Sequence, residues 1–137
     1  MSFIRPIRAY PKYGLDCVQV DVPLTVVNGS RGDVGHTFIY DTGCEITTVG
    51  EDVATKLGLP AGGRPVGMTS TTGSGTGRLV NVRFRFPKTI DGGPGHEADS
   101  TWVVIPDRTD LAILGFQEVH RHFWVRSYEF DLYFMRW

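Results

Sequence analysis

The sequence predicts a single all-β domain with one or two short helices. The 17 glycines and 8 prolines among 137 residues favour turns and short strands over long helices. Apolar and polar residues alternate with a period of two in several segments, and helix signals occur in two places. The apolar fraction of 41% and charged fraction of 21% are typical of a soluble globular chain that is long enough to bury one core.

The N-terminal part is predicted to contain an arm and two strands. Residues 1–14 carry two prolines and are expected to form an arm rather than a packed element, which leaves one domain over 15–137. Alternation predicts a strand over 17–27, and a second strand follows at 36–40. The Asn28-Gly29 pair between them tolerates the positive φ angles of a tight turn.

The two predicted helices are short. The first covers 52–57, with Thr48 and Glu51 at the spacing of a capping box and Gly58 as a stop signal. The second covers 116–122, where Phe116 and Val119 lie at helical spacing. Neither pattern is long enough to predict a helical domain.

The remaining segments are predicted to be strands joined by two glycine-rich connections. The strands are expected at 65–72, 77–86, 101–105, 111–115 and 124–134. The connections are a hairpin tip at 69–77 and a long loop at 87–100. Within 77–86 the alternation predicts one face of apolar residues and one polar face; the apolar face comprises Leu79 or Val80 with Val82, Phe84 and Phe86, and the polar face Asn81, Arg83 and Arg85.

Charge and cysteine content exclude several functions. The formal charge of −1 gives no basic field, so neither nucleic acid nor an anionic membrane is an expected partner. No segment approaches the roughly 18 apolar residues of a membrane span, and a cytoplasmic location is expected. Cys17 and Cys44 match neither a disulfide framework nor a zinc site, so we expect free thiols and neither a metal nor a cofactor.

The segment with the clearest chemical potential is Asp41-Thr42-Gly43, which directly follows an apolar strand. This order places a carboxylate at the end of a strand, where the backbone turns. A second apolar strand, ending in Ile113-Leu114-Gly115, leads into the second predicted helix. A simpler interpretation is that Asp41 only stabilises a turn through its own backbone bonds.

Together these two motifs resemble the retropepsin-like aspartic proteases, over most of the chain. The resemblance implies a closed β-barrel or sandwich with one or two short helices, and Asp41 as the catalytic aspartate with Thr42 and Gly43 as its partners. It also implies that the apolar-apolar-Gly motif packs beside the catalytic loop. Cys44 stands where the family usually has Ala or Ser, and adds an oxidisable thiol.

The resemblance further implies that the glycine-rich hairpin is a flap that closes over the substrate. Its tip, the expected substrate-binding segment, comprises Ser70, Thr71, Thr72, Gly73, Ser74, Gly75, Thr76 and Gly77. The three alternating glycines lack the spacing and the following helix of a phosphate-binding loop. A flexible hairpin is therefore the favoured interpretation.

The chemistry of peptide hydrolysis predicts a homodimer. When two carboxylates share one proton, the ionised group can activate water while the protonated group protonates the substrate. One carboxylate alone cannot do both. Because the sequence contains one Asp-Thr-Gly, the second aspartate must come from a second copy. The predicted function is an aspartic endopeptidase acting on polypeptides, and the alternative is a non-catalytic peptide-binding or dimerisation module of the same fold.

Two other reactive groups have simpler explanations. His120 and His122 diverge on a helix and have no obvious third ligand, so a metal site is not predicted. Cys44 as a nucleophile would need a positioned base, which the sequence does not supply. We therefore expect Cys44 to be an ordinary small residue near the site.

Overall fold

The computed structural model describes residues 2–12, 14–29, 31–70 and 73–137. In these residues the chain forms ten strands and two short helices. In chain order they are β1 (Ser2–Lys12), β2 (Leu15–Gly29), β3 (Gly32–Asp41), β4 (Thr48–Gly50), α1 (Glu51–Leu57), β5 (Arg64–Ser70), β6 (Gly73–Arg85), β7 (Glu97–Ile105), β8 (Ala112–Gly115), α2 (Phe116–His120), β9 (Phe123–Tyr128) and β10 (Asp131–Arg136). The prediction of a mostly β fold with two short helices is confirmed.

Six of these strands close into a barrel. Their order is β2, β3, β8, β4, β7 and β6, and the ring closes where Thr25 and Val26 of β2 pair with Arg85 and Phe84 of β6. The β3–β8 and β4–β7 pairs are parallel. Strands β1, β10 and β9 extend the sheet outward from β2, and β5 extends it from β6. The barrel thus places the C-terminal ends of β3 and β8 side by side.

The interior of the barrel is aliphatic and aromatic. Trp102 is fully buried and packs against Phe38 and Phe84, each at a ring-centroid distance of 5.3 Å. The predicted alternation in β6 is confirmed, because Val80 and Val82 are buried while the polar residues between and after them face outward. Burial of this apolar surface is the main stabilising term of the fold.

The prediction of an N-terminal arm is wrong, because residues 2–12 form strand β1, whose first half pairs with β10 and whose second half pairs with β2. β1 pairs with β10 through Phe3 and Phe134 and with β2 through Ile7 and Val20. Phe3 is only 3% exposed and stacks on Phe134 with ring centroids 4.4 Å apart. The two prolines suggested an arm. The pairing with β10 could not be foreseen, because that strand lies at the opposite end of the sequence.

Smaller differences concern the boundaries of elements. Thr48 belongs to β4, and the N-cap of α1 is Gly50, without a side-chain cap, so the predicted capping box does not form. The predicted long strand at 124–134 is a hairpin, because Glu129 and Phe130 adopt φ angles of 47° and 66° and reverse the chain. The long loop ends at Glu97, where β7 begins.

The end of α1 agrees with its sequence signal. Gly58 follows the helix in the left-handed conformation, with a φ of 73°, and its N–H bonds back to Thr55. Helix α2 ends two residues earlier than predicted, at His120. Neither helix, nor any other in the described ranges, is long and apolar enough to cross a membrane.

Candidate active site

Asp41 is the last residue of β3 and is exposed. The strand turns Phe38 and Tyr40 toward the core, so alternation places Asp41 on the outer face. The Gly43 N–H donates to Asp41 Oδ1 at 2.8 Å, and the Cys44 N–H donates to the Asp41 carbonyl oxygen at 3.2 Å. The turn thereby orients a solvent-accessible carboxylate.

The second predicted motif lies directly beside this turn. Strand β8 runs parallel to β3, with Gly115 as the register partner of Asp41 and Leu114 as that of Tyr40. Leu114 is fully buried and Ile113 half-buried, which anchors the short strand in the barrel. The structure therefore brings together the two segments that the sequence predicted to be neighbours.

Backbone bonds from the start of α2 hold the loop that follows the turn. The Phe116 N–H donates to the Cys44 carbonyl at 2.7 Å, and the Gln117 N–H donates to the Glu45 carbonyl at 3.0 Å. These bonds use N–H groups of the first helical turn, which have no partner within the helix. Residues 44–47, here called the site loop, are thus fixed to the end of β8.

Gly115 is required by the closeness of the site loop. A Cβ atom at this position would lie 2.6 Å from the Thr47 nitrogen and 2.8 Å from the Glu45 carbonyl oxygen. Both atoms belong to the backbone, so neither can rotate away. The glycine of the apolar-apolar-Gly motif is explained by this close approach of two chain segments.

Cys44 occupies the position next to the Asp-Thr-Gly turn as a half-buried free thiol. Its Sγ donates to the Ile46 carbonyl at 3.1 Å and lies 3.8 Å from the Thr48 hydroxyl oxygen. The Thr48 hydroxyl donates to the same carbonyl at 2.8 Å. The Cys44 thiol is therefore part of the hydrogen bonding around the site loop. Thr42, on the other side of Gly43, is exposed beside Asp41.

The predicted flap corresponds to the outer part of the β5–β6 hairpin. Ser70 pairs with Gly73 at its end, and Thr71 and Thr72 lie outside the described residues. Strand β6 pairs with β7 from Arg78 onward, where Arg78 is opposite Val104. Within the described part, residues 66–77 are thus paired across the hairpin alone, which is the arrangement expected of a projecting flap.

Gly77 marks the base of this projection and is buried. A Cβ there would lie 2.9 Å from the Val104 carbonyl oxygen and 3.0 Å from Val103 Cγ1. Around Gly75, in contrast, a Cβ would meet nothing within 4 Å. The alternating glycines predicted a flexible hairpin, whereas at Gly77 the structure shows a steric need for glycine.

Arg78 anchors the base of the hairpin to α1 and the segment after it. Its guanidinium donates to Glu51 Oε1 at 2.7 Å and to the carbonyl oxygens of Pro60 at 2.5 Å and Gly62 at 2.7 Å. Arg78 could not be identified from the sequence, because its role depends on three partners distant along the chain. Its position within an alternating strand gave no signal.

Glu118 is a second residue that the sequence did not indicate. It lies on α2, is only 4% exposed, and its Oε1 accepts a hydrogen bond from the Trp102 indole N–H at 2.6 Å. Ser100 and Thr47 line the same cavity as Glu118. Burial raises the pKa of the Glu118 carboxyl, while its polar neighbours Ser100, Trp102 and Thr47 act in the opposite direction. A helix of five residues shows no periodicity from which a buried face could be predicted.

The two histidines considered as metal ligands have separate partners. His120 Nε2 lies 2.6 Å from the hydroxyl of Tyr40, and burial raises the pKa of Tyr40 to about 12. His122 Nδ1 lies 3.2 Å from His96 Nε2. Among the residues that the structure describes, no group of three or more His, Cys, Asp or Glu side chains could hold a metal ion.

A cavity of about 280 Å³ adjoins the site loop. It lies between the loop, β7 and the start of α2, and its lining combines carboxylates, hydroxyls and apolar groups: Glu45, Ile46, Thr47, Leu79, Asp99, Ser100, Thr101, Gln117, Glu118 and Arg121. Asp41 does not line this cavity, which meets the active-site turn only through residues 45–47 of the site loop.

The fold is that of a retropepsin-like aspartic protease. The structure is similar to that of a retropepsin-like aspartic protease from Rickettsia conorii, with a TM-score of 0.62 over 98% of this chain and 90% of that one, at 16% sequence identity. The family model described as aspartyl protease matches residues 22–117, which include both Asp41 and Gly115. The chain belongs to this aspartyl protease family, as the sequence motifs predicted. No curated protein matches the sequence.

Proposed function

We propose that the protein is an aspartic endopeptidase in which Asp41 is the catalytic residue. The observation that carries this proposal is the placement of Asp41 at the exposed end of β3, with Oδ1 held by the Gly43 N–H. A carboxylate that is oriented by the backbone and open to solvent can bind and polarise a water molecule. Membership of the aspartyl protease family supports the same reaction class.

The active form is a homodimer in this proposal. Each chain supplies one Asp-Thr-Gly turn, and the reaction needs two carboxylates that hold one proton between them. Thr42 is exposed beside Asp41, where it can hydrogen-bond the equivalent turn of the second copy. The complete site would then lie on a two-fold axis.

Hydrolysis follows from the shared proton. The ionised Asp41 takes a proton from water while the protonated Asp41 of the second copy donates its proton to the peptide carbonyl oxygen, and the water oxygen bonds to the carbonyl carbon. The carboxyl group that took the water proton then gives it to the amide nitrogen, the C–N bond breaks, and the other, ionised carboxylate takes the proton of one hydroxyl as the carbonyl re-forms. The dyad returns to its singly protonated state.

The outer part of the β5–β6 hairpin is the flap. The described residues 66–70 and 73–76 pair only across the hairpin, and they offer strand edges with which an extended polypeptide can pair. Closure of this hairpin would exclude bulk water from the carboxylates. The base at Gly77 and Arg78 remains fixed to the barrel, so the motion is confined to the projecting part.

The direct test is Asp41→Asn assayed on a peptide library. This variant keeps the shape of the side chain but cannot act as a base, so we expect cleavage to fall at least about a hundredfold with a nearly unchanged melting temperature. Asp91→Asn, at an exposed turn in the 87–96 connection, is the matched control and should cleave normally. Undiminished cleavage by Asp41→Asn would overturn the proposal.

A mixing experiment tests the dimer. When wild type and Asp41→Asn are mixed equally and allowed to exchange subunits, random pairing leaves about a quarter of the dimers with two intact aspartates, whereas independent monomers would retain about half of the activity. Sedimentation should show a species of twice the chain mass. A dimer that binds extended peptides without cleaving them would instead indicate the non-catalytic binding module.

A further inference from the structure

The side chains of Tyr40 and His120 form a hydrogen bond that the hydrolysis mechanism does not use. The Tyr40 hydroxyl oxygen lies 2.6 Å from His120 Nε2. Tyr40 directly precedes Asp41 in β3 and is half-buried, whereas Asp41 is exposed. His120 is the last residue of α2, the helix that begins directly after Gly115. The bond therefore joins the strand that carries Asp41 to this helix.

The direction of the bond follows from the acidity of the two groups. Burial raises the pKa of Tyr40 to about 12, so the hydroxyl keeps its proton at neutral pH. Burial lowers the pKa of His120, which favours the neutral imidazole with one unprotonated nitrogen. A phenol is a better donor than acceptor, because its oxygen lone pairs are partly delocalised into the ring. Tyr40 thus donates to Nε2, and the neutral His120 carries its own proton on Nδ1.

The turn that carries Asp41 is attached to α2 on both sides. On one side, Tyr40 donates to His120. On the other side, the backbone N–H groups of Phe116 and Gln117 donate to carbonyl oxygens of the site loop at 2.7 and 3.0 Å. A helix of only five residues is marginal by itself, so its orientation depends on tertiary contacts. An error in the orientation of α2 would therefore be passed to the turn.

Both aromatic rings of this hydrogen bond are also held by other residues. The Phe116 ring stacks on the His120 imidazole with centroids 4.2 Å apart, and the Trp137 indole N–H donates to the His120 carbonyl oxygen at 3.2 Å. The Tyr40 ring packs edge-on against Phe134 at a centroid distance of 5.6 Å. The hydroxyl and the imidazole are thus oriented without substrate, as is required of groups that position a catalytic residue.

We propose that His120 is a positioning residue for Asp41, which acts by accepting the hydrogen bond of the Tyr40 hydroxyl and so fixes α2 against the end of β3. This inference rests on the proposed proteolytic function. His120 takes no part in proton transfer to the substrate. Its contribution is geometric, and it acts in both halves of the dimer, where small errors in the placement of reacting groups reduce catalysis strongly.

The experiment compares Tyr40→Phe, which removes the hydroxyl group, with His120→Leu, which removes the acceptor. We expect kcat to fall about tenfold in each variant with KM within about twofold, measured well below the melting temperature. His120→Gln places an amide oxygen near the position of Nε2 and should recover most of the lost kcat. Tyr128→Phe, at an exposed tyrosine of β9, is the matched control and should cleave as wild type does.

The double variant tests whether the two residues act through one bond. In that case Tyr40→Phe combined with His120→Leu loses no more kcat than His120→Leu alone, whereas independent effects would multiply to about a hundredfold. Multiplied effects would overturn the proposal. So would a Tyr40→Phe variant that has a lower melting temperature and an unchanged kcat, because that result indicates a purely structural role.

Nitrogen NMR of the His120 imidazole gives a readout without substrate. At about pH 7.5, where the imidazole is neutral, wild type should show a protonated Nδ1 and an unprotonated Nε2. Tyr40→Phe should shift the tautomer toward a protonated Nε2, and exchange of the Phe116 amide with solvent should become about tenfold faster. A protonated Nε2 in wild type would contradict the role of His120 as an acceptor.

The same NMR signals should appear in the Asp41→Asn background, because the bond does not depend on the ionisation of Asp41. Cleavage that survives Asp41→Asn would refute the proposed function, while the His120 tautomer would still report the bond. Loss of cleavage in Asp41→Asn, together with full kcat in Tyr40→Phe, would refute the role of His120 alone.

Discussion

Asp41 and Gly115 are register partners in the parallel pair of β3 and β8, so the carboxylate that ends one strand lies beside the glycine that ends the other. The site loop crosses directly over Gly115, at a distance that leaves no space for a side chain. The geometry of the Asp41 turn therefore depends on a residue far along the chain.

Gly115→Ala should destabilise the protein and the site together. The added methyl group would press on backbone atoms of Thr47 and Glu45, and overpacking of this kind costs about 1–3 kcal/mol. Chemical denaturation should show this loss, with reduced cleavage by the remaining folded protein. Gly62→Ala, where a Cβ meets nothing within 4 Å, is the control. Equal stability of the two variants would contradict the structural explanation.

Gly77→Ala and Gly75→Ala should have opposite effects, although both lie in the same strand of the hairpin. Alanine at 77 would clash with the Val104 carbonyl oxygen, and we expect a loss of about 1–3 kcal/mol in the free energy of unfolding. Alanine at 75 enters open space and reduces the freedom of the unfolded chain, with an expected gain of about 0.4–1 kcal/mol. If the two changes affect denaturation alike, Gly77 is not a packing glycine.

Arg78→Lys should weaken the base of the hairpin. Lysine cannot reproduce the guanidinium contacts to Glu51 and to two backbone carbonyls, and we expect a loss of about 1–2 kcal/mol in unfolding free energy. Arg83→Lys is the matched control, because Arg83 makes an exposed ion pair with Glu97 and its replacement should leave stability nearly unchanged. Limited proteolysis within 66–77 should be faster in Arg78→Lys and unchanged in the control.

Stability should decrease on mild acidification because of the His96–His122 pair. Burial lowers the pKa of both imidazoles, and Arg136 and the neighbouring imidazole lower that of His96 further. The folded protein thus binds fewer protons than the unfolded chain between the lowered pKa values and the ordinary value of 6.5. The contribution of the neutral His96 and His122 imidazoles to stability is therefore complete above about pH 6.5, and it is lost as the pH falls through this window.

The measurement is chemical denaturation at about pH 7.5 and about pH 5.5, at one protein concentration. The variant carrying His96→Gln and His122→Gln should lose less stability between these conditions than wild type. His36 and His120 also have pKa values lowered by burial, so part of the dependence should remain in the variant. An identical loss in both proteins would show that this pair does not contribute.

Local patterns predicted much of the barrel. In β6, the alternation of apolar and polar residues identifies the side chains that enter the core. This assignment needs no knowledge of the neighbouring strands. The same approach failed for β1, because Phe3 is buried by Phe134 and other residues at the far end of the sequence. Glu118 and Arg78 were not identified for a related reason, since each is defined by partners on several elements.

The sequence by itself determined the class of this protein. Asp41-Thr42-Gly43 after an apolar strand, together with Ile113-Leu114-Gly115, predicted an aspartyl protease fold. The family match confirmed this prediction. Such motifs are local, because a turn and a strand end are specified by adjacent residues. Tertiary structure alone decided that residues 2–12 form a strand of the sheet, that Gly77 and Gly115 are packing glycines, and that the buried Glu118 lines a cavity with the site loop. Each of these depends on contacts between segments distant along the chain, which closure of the barrel creates.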